Sequence, residues 1–524
     1  MSNIIIPNLH PSHRYSDNHQ DDEVDVEEVL STSLHSRVES FIGSYSRTSL
    51  VHMAENVVVG NEGMEIDDDA LSTTSSNLPR YTKSICSSRR NSLGTLNEET
   101  PLFPKLQAVT TCNSVLTVAD NYPVDVIYSK SSFLQSVFNS INILIGVGIL
   151  SLPLAFKYTG WVVGMAIFIF CFLLTNYTAK LLAKCLDVNS ESRTYGDLSA
   201  AAYGRKGRVF VSFVFLTELI TCSVALVVLL SDGIDSLFPG HDPLLVKIIS
   251  FAILTPTLFI PVRHLSYTSL MGILSMFSLL FVILYDGLTK VDAPGSMIQP
   301  ASTDVLPSDW KAVPMSFGLI MAGFAGHAVF PTIYRDMKNP KEYTKMVNYT
   351  YLVTAIVYFT IAAAGYAMFG PNTMQEITQN LVTIPEYSQT LNRLAVWLIA
   401  LNPIAKYGLT LNPVLLSWQI EIQNSHRFEE WFAKAEWRRT FVNSIGIVLT
   451  SLFIVYLAML IPNFDSIMSV LGALFSFFIS GIFPILCHLK LYGSKVGLVE
   501  KTFSIVLVVI AGAMAFSGTL FNFI

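Results

Sequence analysis

The sequence predicts an all-α polytopic membrane protein with about eleven transmembrane helices. Charged residues make up only 14% of its 524 residues, well below the roughly 25% of an ordinary soluble domain. Several apolar runs exceed the roughly 18 residues needed to cross a bilayer. Two of these runs, SVFNSINILIGVGILSLPLAF and SFGLIMAGFAGHAVFPTIY, are interrupted by glycine in the same way. Together these observations predict helices that cross the membrane, two of which are broken.

Residues 1–130 form a polar tail with an acidic run from Asp21 to Glu28. The tail has no long apolar span and few aromatic residues, so we expect it to be disordered and cytosolic. It lacks the apolar segment of a signal peptide, and the first span would therefore direct insertion. Ser92 follows Arg89 and Arg90, which fits a site for a basophilic kinase, although such short motifs also recur by chance. A kinase or a sorting adaptor is the partner class expected for this tail.

Residues 131–524 form the predicted transmembrane domain, and sustained hydropathy marks its spans. Loops of varied length separate successive spans, and each span has the length of a membrane helix. The approximate predicted limits are 133–155, 161–185, 208–231, 244–261, 265–287, 312–332, 347–369, 389–416, 440–461, 464–488 and 500–522.

Loop charge predicts the orientation of these spans. Lys and Arg gather after the even-numbered spans, for example at Arg205, Lys338 and Arg438. Because positive loops stay in the cytosol, we expect a cytosolic N-terminus and a lumenal C-terminus. Spans one to five (about 131–290) and six to ten (about 310–490) would then have opposite topology. We interpret them as a five-plus-five inverted repeat of the APC/LeuT-like kind, with an extra helix at about 500–522.

The break in span one is predicted to bind the carboxylate of a small molecule. It contains Gly146, Gly148, Ile149 and Ser151. Unwinding exposes backbone N–H groups at the start of the following half-helix, and such donors suit an anion. The alternative is that the two glycines only allow close packing between helices. The matching break in span six favours a binding site.

The break in span six is predicted to bind an ammonium group. It contains Gly323, Ala325, Gly326 and His327. Its freed carbonyl oxygens can accept hydrogen bonds, and a carboxylate together with an ammonium group describes an α-amino acid. His327 is also a candidate for proton coupling, since the ordinary pKa of histidine is about 6.5. The alternative is a neutral histidine that supports the broken helix through hydrogen bonds.

Two further ionisable residues lie within predicted spans, where charged groups are rare and usually functional. Glu218 lies in the middle of span three and is a candidate proton carrier; alternatively, it is locked to a neighbouring helix. Lys406 lies in the middle of span eight. Its ammonium group can take the place of a sodium ion, which predicts sodium-independent transport. The alternative is that Lys406 extends to the membrane interface.

Other functional classes lack support in the sequence. The six cysteines form no loop-based disulfide framework, and no Cys/His spacing suits a metal. The membrane region contains no nucleophile–base pair and no phosphate-binding loop, so we expect neither an enzyme nor a cofactor. Nothing indicates nucleic-acid binding, and the expected partners are the lipid bilayer and small molecules.

Three segments resemble the amino acid/auxin permease family: SVFNSINILIGVGILSLPLAFKYTGW, AAYGRKGR and GFAGHAVFPTIYRDMKNP. The chain is similar to the vesicular inhibitory amino-acid transporter branch, and most similar to fungal vacuolar members that exchange neutral amino acids for protons. The resemblance covers almost all of 131–524. It implies eleven helices, substrate binding at both breaks, a vacuolar membrane, and substrates such as glutamine, leucine, isoleucine and tyrosine.

The resulting prediction is a secondary transporter that moves neutral amino acids into an acidic lumen in exchange for protons. A proton symporter that exports amino acids from the vacuole is one alternative. A membrane protein that senses nutrients and signals through its tail is another.

Overall fold

The computed structural model describes residues 130–522 apart from 189–191, 193, 261, 425–431, 433–434 and 494. The predicted tail, including the candidate phosphosite Ser92, lies outside the described residues. The regular secondary structure of the described residues is helical, and they contain no β-strand beyond one isolated bridge between Ser131 and Met337. The predicted all-α fold is confirmed.

Each predicted span coincides with one or more helices. Eight helices of the described residues are long and apolar enough to cross a membrane, while those of spans four and five are shorter apolar helices. The predicted count of eleven spans, their division into two repeats and their orientation stay predictions. In chain order the helices are Phe133–Leu144, Leu152–Leu186, Tyr195–Leu237, Pro243–Leu254, Val262–Thr289, Val313–Gly323, Phe330–Asp336, Tyr343–Phe369, Ile377–Thr383, Gln389–Asn424, Glu436–Leu460, Phe464–Val470, Phe483–Tyr492 and Leu498–Leu520.

Spans one and two meet at a sharp turn inside the helical segment Leu152–Leu186. Gly160 there has a φ of 65°, which favours glycine because a side chain would crowd the backbone. The loop after span five packs directly on this turn, and Trp161 and Val162 donate backbone hydrogen bonds to it. The close approach of that loop requires a residue without a Cβ at 160.

Spans one and six are each built from two half-helices, as the sequence predicts. In span one, a 3₁₀ turn over Val147–Ser151 separates Phe133–Leu144 from the helix that starts at Leu152. In span six, the break after Val313–Gly323 contains a 3₁₀ turn over His327–Val329. The two breaks share one construction, which is what an inverted repeat requires.

Span ten packs against the first half of span six. Its middle part, Leu471–Ile482, is π-helical, a feature that hydropathy does not reveal. Gly472 faces the Gly318 backbone at close range, as is common where small residues let membrane helices approach. The Ser469 hydroxyl donates a hydrogen bond to the Met315 carbonyl at 2.9 Å. Span ten therefore supports the half-helix that leads into the span-six break.

Large apolar side chains cover the outside of the bundle. Leu449, Phe453 and Tyr456 of span nine and Val509 and Phe516 of span eleven are all at least half exposed. In water such a surface would be unfavourable. It suits the hydrocarbon of a bilayer and agrees with a multi-pass membrane protein.

Candidate functional site: the cavity between two broken helices

The two breaks touch each other at the centre of the bundle. A Cβ added to Gly148 would lie only 3.2 Å from the backbone nitrogen of Gly323. Gly326 has a φ of 140°, and a Cβ there would lie 3.0 Å from Cγ2 of Ile143. Gly148 thus permits the close approach, and Gly326 permits a backbone conformation that other residues avoid.

Unsatisfied backbone groups occur in both breaks. No acceptor among the described residues takes the amide hydrogens of Val147 and Gly148. Likewise, no donor in the described part of the chain reaches the carbonyl oxygens of Phe324 and Ala325. Buried backbone groups usually have partners, so these groups are candidate contacts for a carboxylate and an ammonium group.

A buried tyrosine joins the ends of the two first half-helices. The Tyr358 hydroxyl of span seven donates a hydrogen bond to the Gly323 carbonyl at 2.8 Å and also contacts the Leu144 carbonyl. The Tyr358 side chain is fully buried. One side chain therefore fixes the spacing of both breaks, and it occupies the Gly323 oxygen that the sequence offered for an ammonium group.

A cavity of about 280 Å³ lies beside the breaks. This volume is at the small end of ligand pockets, which usually measure roughly 300–1,000 Å³, and it suits a small metabolite. Among the predicted site residues, those that line the cavity are Gly146, Gly148, Glu218, Ala325, Gly326 and Lys406.

Glu218 and Lys406 border this cavity from spans three and eight. No ion pair within 4.0 Å joins them, and the described residues provide neither with a salt-bridge partner. The Lys406 stem passes Gly272 of span five, where a Cβ would lie 3.4 Å from its Cε atom. The cavity thus contains one acidic and one basic group within an otherwise mainly apolar lining.

Four predicted site residues do not line the cavity. Ile149 and Ser151 are fully buried, and the Ser151 hydroxyl donates to the Gly148 carbonyl at 3.2 Å. Gly323 packs against the Tyr358 ring, and His327 points towards spans two and seven. Direct contact of these four residues with substrate stays a prediction.

The His327 ring is enclosed by hydrogen-bonding groups. Its Nε2 lies 3.0 Å from the Thr175 carbonyl and 2.9 Å from the Thr178 hydroxyl, and its Nδ1 lies 3.5 Å from the Tyr351 hydroxyl. The Thr178 hydroxyl donates onward to the Ser480 carbonyl at 2.6 Å. A neutral ring that donates from Nε2 to Thr175 satisfies this geometry. The arrangement ties the span-six break to spans two, seven and ten.

The sequence reasoning missed three polar cavity residues: Asn142, Cys222 and Thr410. Each lies on a span that carries a predicted site residue, and Cys222 follows Glu218 by one helical turn. Polar residues at i and i+4 share a helix face, so this spacing is the signal that could have identified Cys222 and Thr410.

The family model described as "Transmembrane amino acid transporter protein" matches residues 129–524. The chain therefore belongs to the transmembrane amino acid transporter family. It is 34% identical to the amino acid transporter AVT1C of Arabidopsis thaliana over 398 residues, which cover 74% of this chain and 68% of that protein. With AVT1B of the same plant the identity is 31% over 404 residues, covering 75% and 71%.

Solved structures resemble this fold more distantly. The inward-facing conformation of Mhp1 is 12% identical, with a TM-score of 0.45 over 75% of this chain and 91% of Mhp1. MhsT in complex with L-phenylalanine is 11% identical, with a TM-score of 0.45 over 75% and 99% of the respective chains.

Family membership confirms the resemblance found in the sequence and identifies the protein as an amino acid transporter rather than an enzyme. The proposed similarity to fungal vacuolar members stays a prediction.

Proposed function

We propose that the protein moves neutral amino acids across a vacuolar, lysosome-like membrane into the lumen in exchange for protons. The observation that carries this proposal is the cavity of about 280 Å³, which both broken helices border. Its size suits an amino acid. The N-terminus would be cytosolic and the C-terminus lumenal, as the loop charges predict.

Amino acid binding would use the unsatisfied groups of both breaks. The substrate carboxylate would accept hydrogen bonds from the amides of Val147 and Gly148, aided by the positive end of the following helix. The ammonium group would donate to the carbonyls of Phe324 and Ala325. Specificity for neutral side chains is supported by the mainly apolar remainder of the lining.

Proton coupling would involve the two ionisable groups of the cavity. Glu218 would carry the exchanged proton, since its carboxyl group lies beside the substrate position and has no salt-bridge partner among the described residues. The Lys406 ammonium group would supply the positive charge that a sodium ion supplies elsewhere. No sodium requirement is therefore expected. His327 is supported better as the hydrogen-bonded prop of the span-six break.

Alternating access would move the bundle that contains spans one and six against the rest of the protein. Both breaks lie in contact at Gly148 and Gly323, so the two spans would move as one unit. Tyr358 would preserve their spacing during this motion.

Sealed vesicles with a lumen acidified by a proton pump test the proposal. Labelled glutamine and leucine should enter in sodium-free buffer, and a protonophore should abolish their accumulation. Acid-accelerated release of preloaded amino acid would instead identify the symporter. A correctly folded protein without gradient-dependent flux would contradict transport and favour the nutrient sensor.

A further inference from the structure

A second group of ionisable residues lies away from the cavity, at the end of the bundle predicted to face the lumen. Asp232 lies near the end of the span-three helix, and Glu376 lies just before the short helix Ile377–Thr383 that follows span seven. Neither residue borders the cavity, and neither has a role in the proposed transport chemistry.

Glu376 has an unusual environment for a carboxyl group. Its side chain is 1% exposed. One oxygen, Oε2, accepts a hydrogen bond from the Thr378 hydroxyl at 3.1 Å. The other oxygen, Oε1, is buried, and no donor of the described residues reaches it. Such an unpartnered oxygen is costly unless a proton or another donor satisfies it.

The Asp232 carboxyl group lies within hydrogen-bonding reach of Glu376. Two ionised carboxylates offer only acceptors, so a hydrogen bond between them requires a proton. Burial and the neighbouring Asp232 raise the pKa of Glu376 well above its usual range. Two adjacent carboxyl groups that share one proton are a known consequence of this kind of repulsion.

The surrounding charges favour a single proton. Lys247 of span four is 9% exposed and acts on Asp232 with its positive charge. Asp235 of span three and Asp465 of span ten add negative charge nearby. Two ionised carboxylates beside one ammonium group would leave excess negative charge in a buried place. With one proton, the pair and Lys247 are neutral together.

Span one adds one further cation near this group. Lys157 donates from Nζ to the Thr373 carbonyl at 2.9 Å and interacts electrostatically with Asp465. Its hydrogen bond holds the start of segment 373–383, whereas the charge of Lys157 acts on Asp465 rather than on the pair of carboxyl groups.

We propose that Asp232 and Glu376 form a proton-binding site whose one shared proton holds segment 373–383 against span three. The proton forms the hydrogen bond between the two carboxyl groups. Its loss leaves two facing carboxylates that repel each other and release the segment.

The segment connects this site to the substrate cavity. The helix Ile377–Thr383 packs against the 3₁₀ turn Val147–Ser151 in the span-one break. A Cβ added to Gly365 would lie 2.7 Å from Pro153 and 2.9 Å from Ile377, so these three residues meet. An acidic lumen would therefore keep the break covered from that side. This effect on transport rests on the proposed function, whereas proton binding does not.

Infrared difference spectroscopy on the full-length protein in lipid nanodiscs tests the proposal directly. All variants are measured in a Glu218→Gln background, which removes the band of the proposed proton carrier. Raising the pH should then remove the C=O band of the one protonated carboxyl group that Asp232 and Glu376 share. Glu376→Gln and Asp232→Asn each keep the side-chain volume, and each should lose this band. Asp235→Asn, an exposed carboxyl group one turn from Asp232, is the matched control and should keep it.

The pH dependence of amino acid uptake provides the second measurement. Uptake by E376Q should keep the dependence on the proton gradient that exchange requires. It should lose the additional response to lumenal pH that the carboxyl pair sets, because the amide donates to Asp232 at every pH, while D235N should keep both. A band that persists in both folded variants, E376Q and D232N, would overturn the proposal. Absence of uptake in the wild type would contradict the transport function alone, since the infrared band does not depend on it.

Discussion

Replacement of Tyr358 by phenylalanine tests whether one hydroxyl group sets the geometry of both breaks. This hydroxyl donates to the Gly323 carbonyl at 2.8 Å and contacts the Leu144 carbonyl. The ring itself packs on Gly323 and would remain in place. The substitution thus removes the polar link and leaves the packing intact.

The expected loss follows from the burial of the groups involved. A buried hydrogen-bonding group without its partner costs about 1–3 kcal/mol. This cost should destabilise the conformation of the two breaks that binds substrate. The population of that conformation then decreases, and the apparent affinity decreases by the same factor. At about 1.4 kcal/mol per tenfold change, amino acid binding should weaken about 5-fold to about 140-fold.

Binding of labelled amino acid to the purified protein measures this factor directly, and uptake into vesicles measures its effect on transport. Tyr349→Phe is the matched control, because Tyr349 lies on the same helix and is 56% exposed. That variant should behave as wild type. Unchanged affinity and uptake in Tyr358→Phe would refute the role assigned to this hydroxyl.

Four further predictions concern other residues. Gly326→Ala should lower the stability of the folded protein by about 1–3 kcal/mol in thermal unfolding, because a φ of 140° strains any residue with a side chain. Gly512→Ala is the control. Gly512 lies on the span-eleven helix with open space around it, so this variant should be neutral or stabilising. Glu218→Gln should abolish gradient-driven accumulation but preserve exchange of labelled for unlabelled amino acid, and retained accumulation would contradict a proton-carrying role. Wild-type uptake should be identical with and without sodium. Lys406→Met should reduce uptake at least about tenfold, which corresponds to about 1.4 kcal/mol, because it removes the positive charge from the cavity. A sodium requirement in the wild type would exclude the proposed substitution of lysine for sodium. The raised pKa of Glu376 means that the folded state binds the proton more tightly than the unfolded state does. Thermal stability should therefore fall as the pH rises above 4.5, the ordinary pKa of a glutamate side chain. Glu376→Gln should remove this part of the pH dependence.

The helical fold was largely predictable because bilayer crossing imposes length and hydropathy on each span. The first half-helix of span one begins at Phe133, as predicted, and Leu498–Leu520 matches the predicted last span closely. The π-helical part of span ten was not predictable, since its side chains are as apolar as those of an α-helix. Within it, Gly472 approaches the Gly318 backbone of span six closely, a contact that local sequence does not encode.

The candidate site was predictable only in part. Gly146, Gly148 and Gly326 could be identified from their residue type, because glycine inside an apolar helix indicates a special backbone requirement. The direction in which His327 points could not be deduced. Its contacts with Thr175 and Thr178 depend on how span six rotates against span two, and rotation within a broken helix leaves no periodic signal.

By itself, the sequence determined that the chain crosses a membrane and that spans one and six are broken, because backbone hydrogen bonding in lipid leaves few alternatives to a continuous helix. Only the tertiary structure decided that Tyr358 contacts both breaks and that Glu376 meets Asp232. Both contacts join residues that are far apart in the sequence. Local composition determines whether a residue lies in a helix, but only the packing of the helices determines which distant residue it contacts.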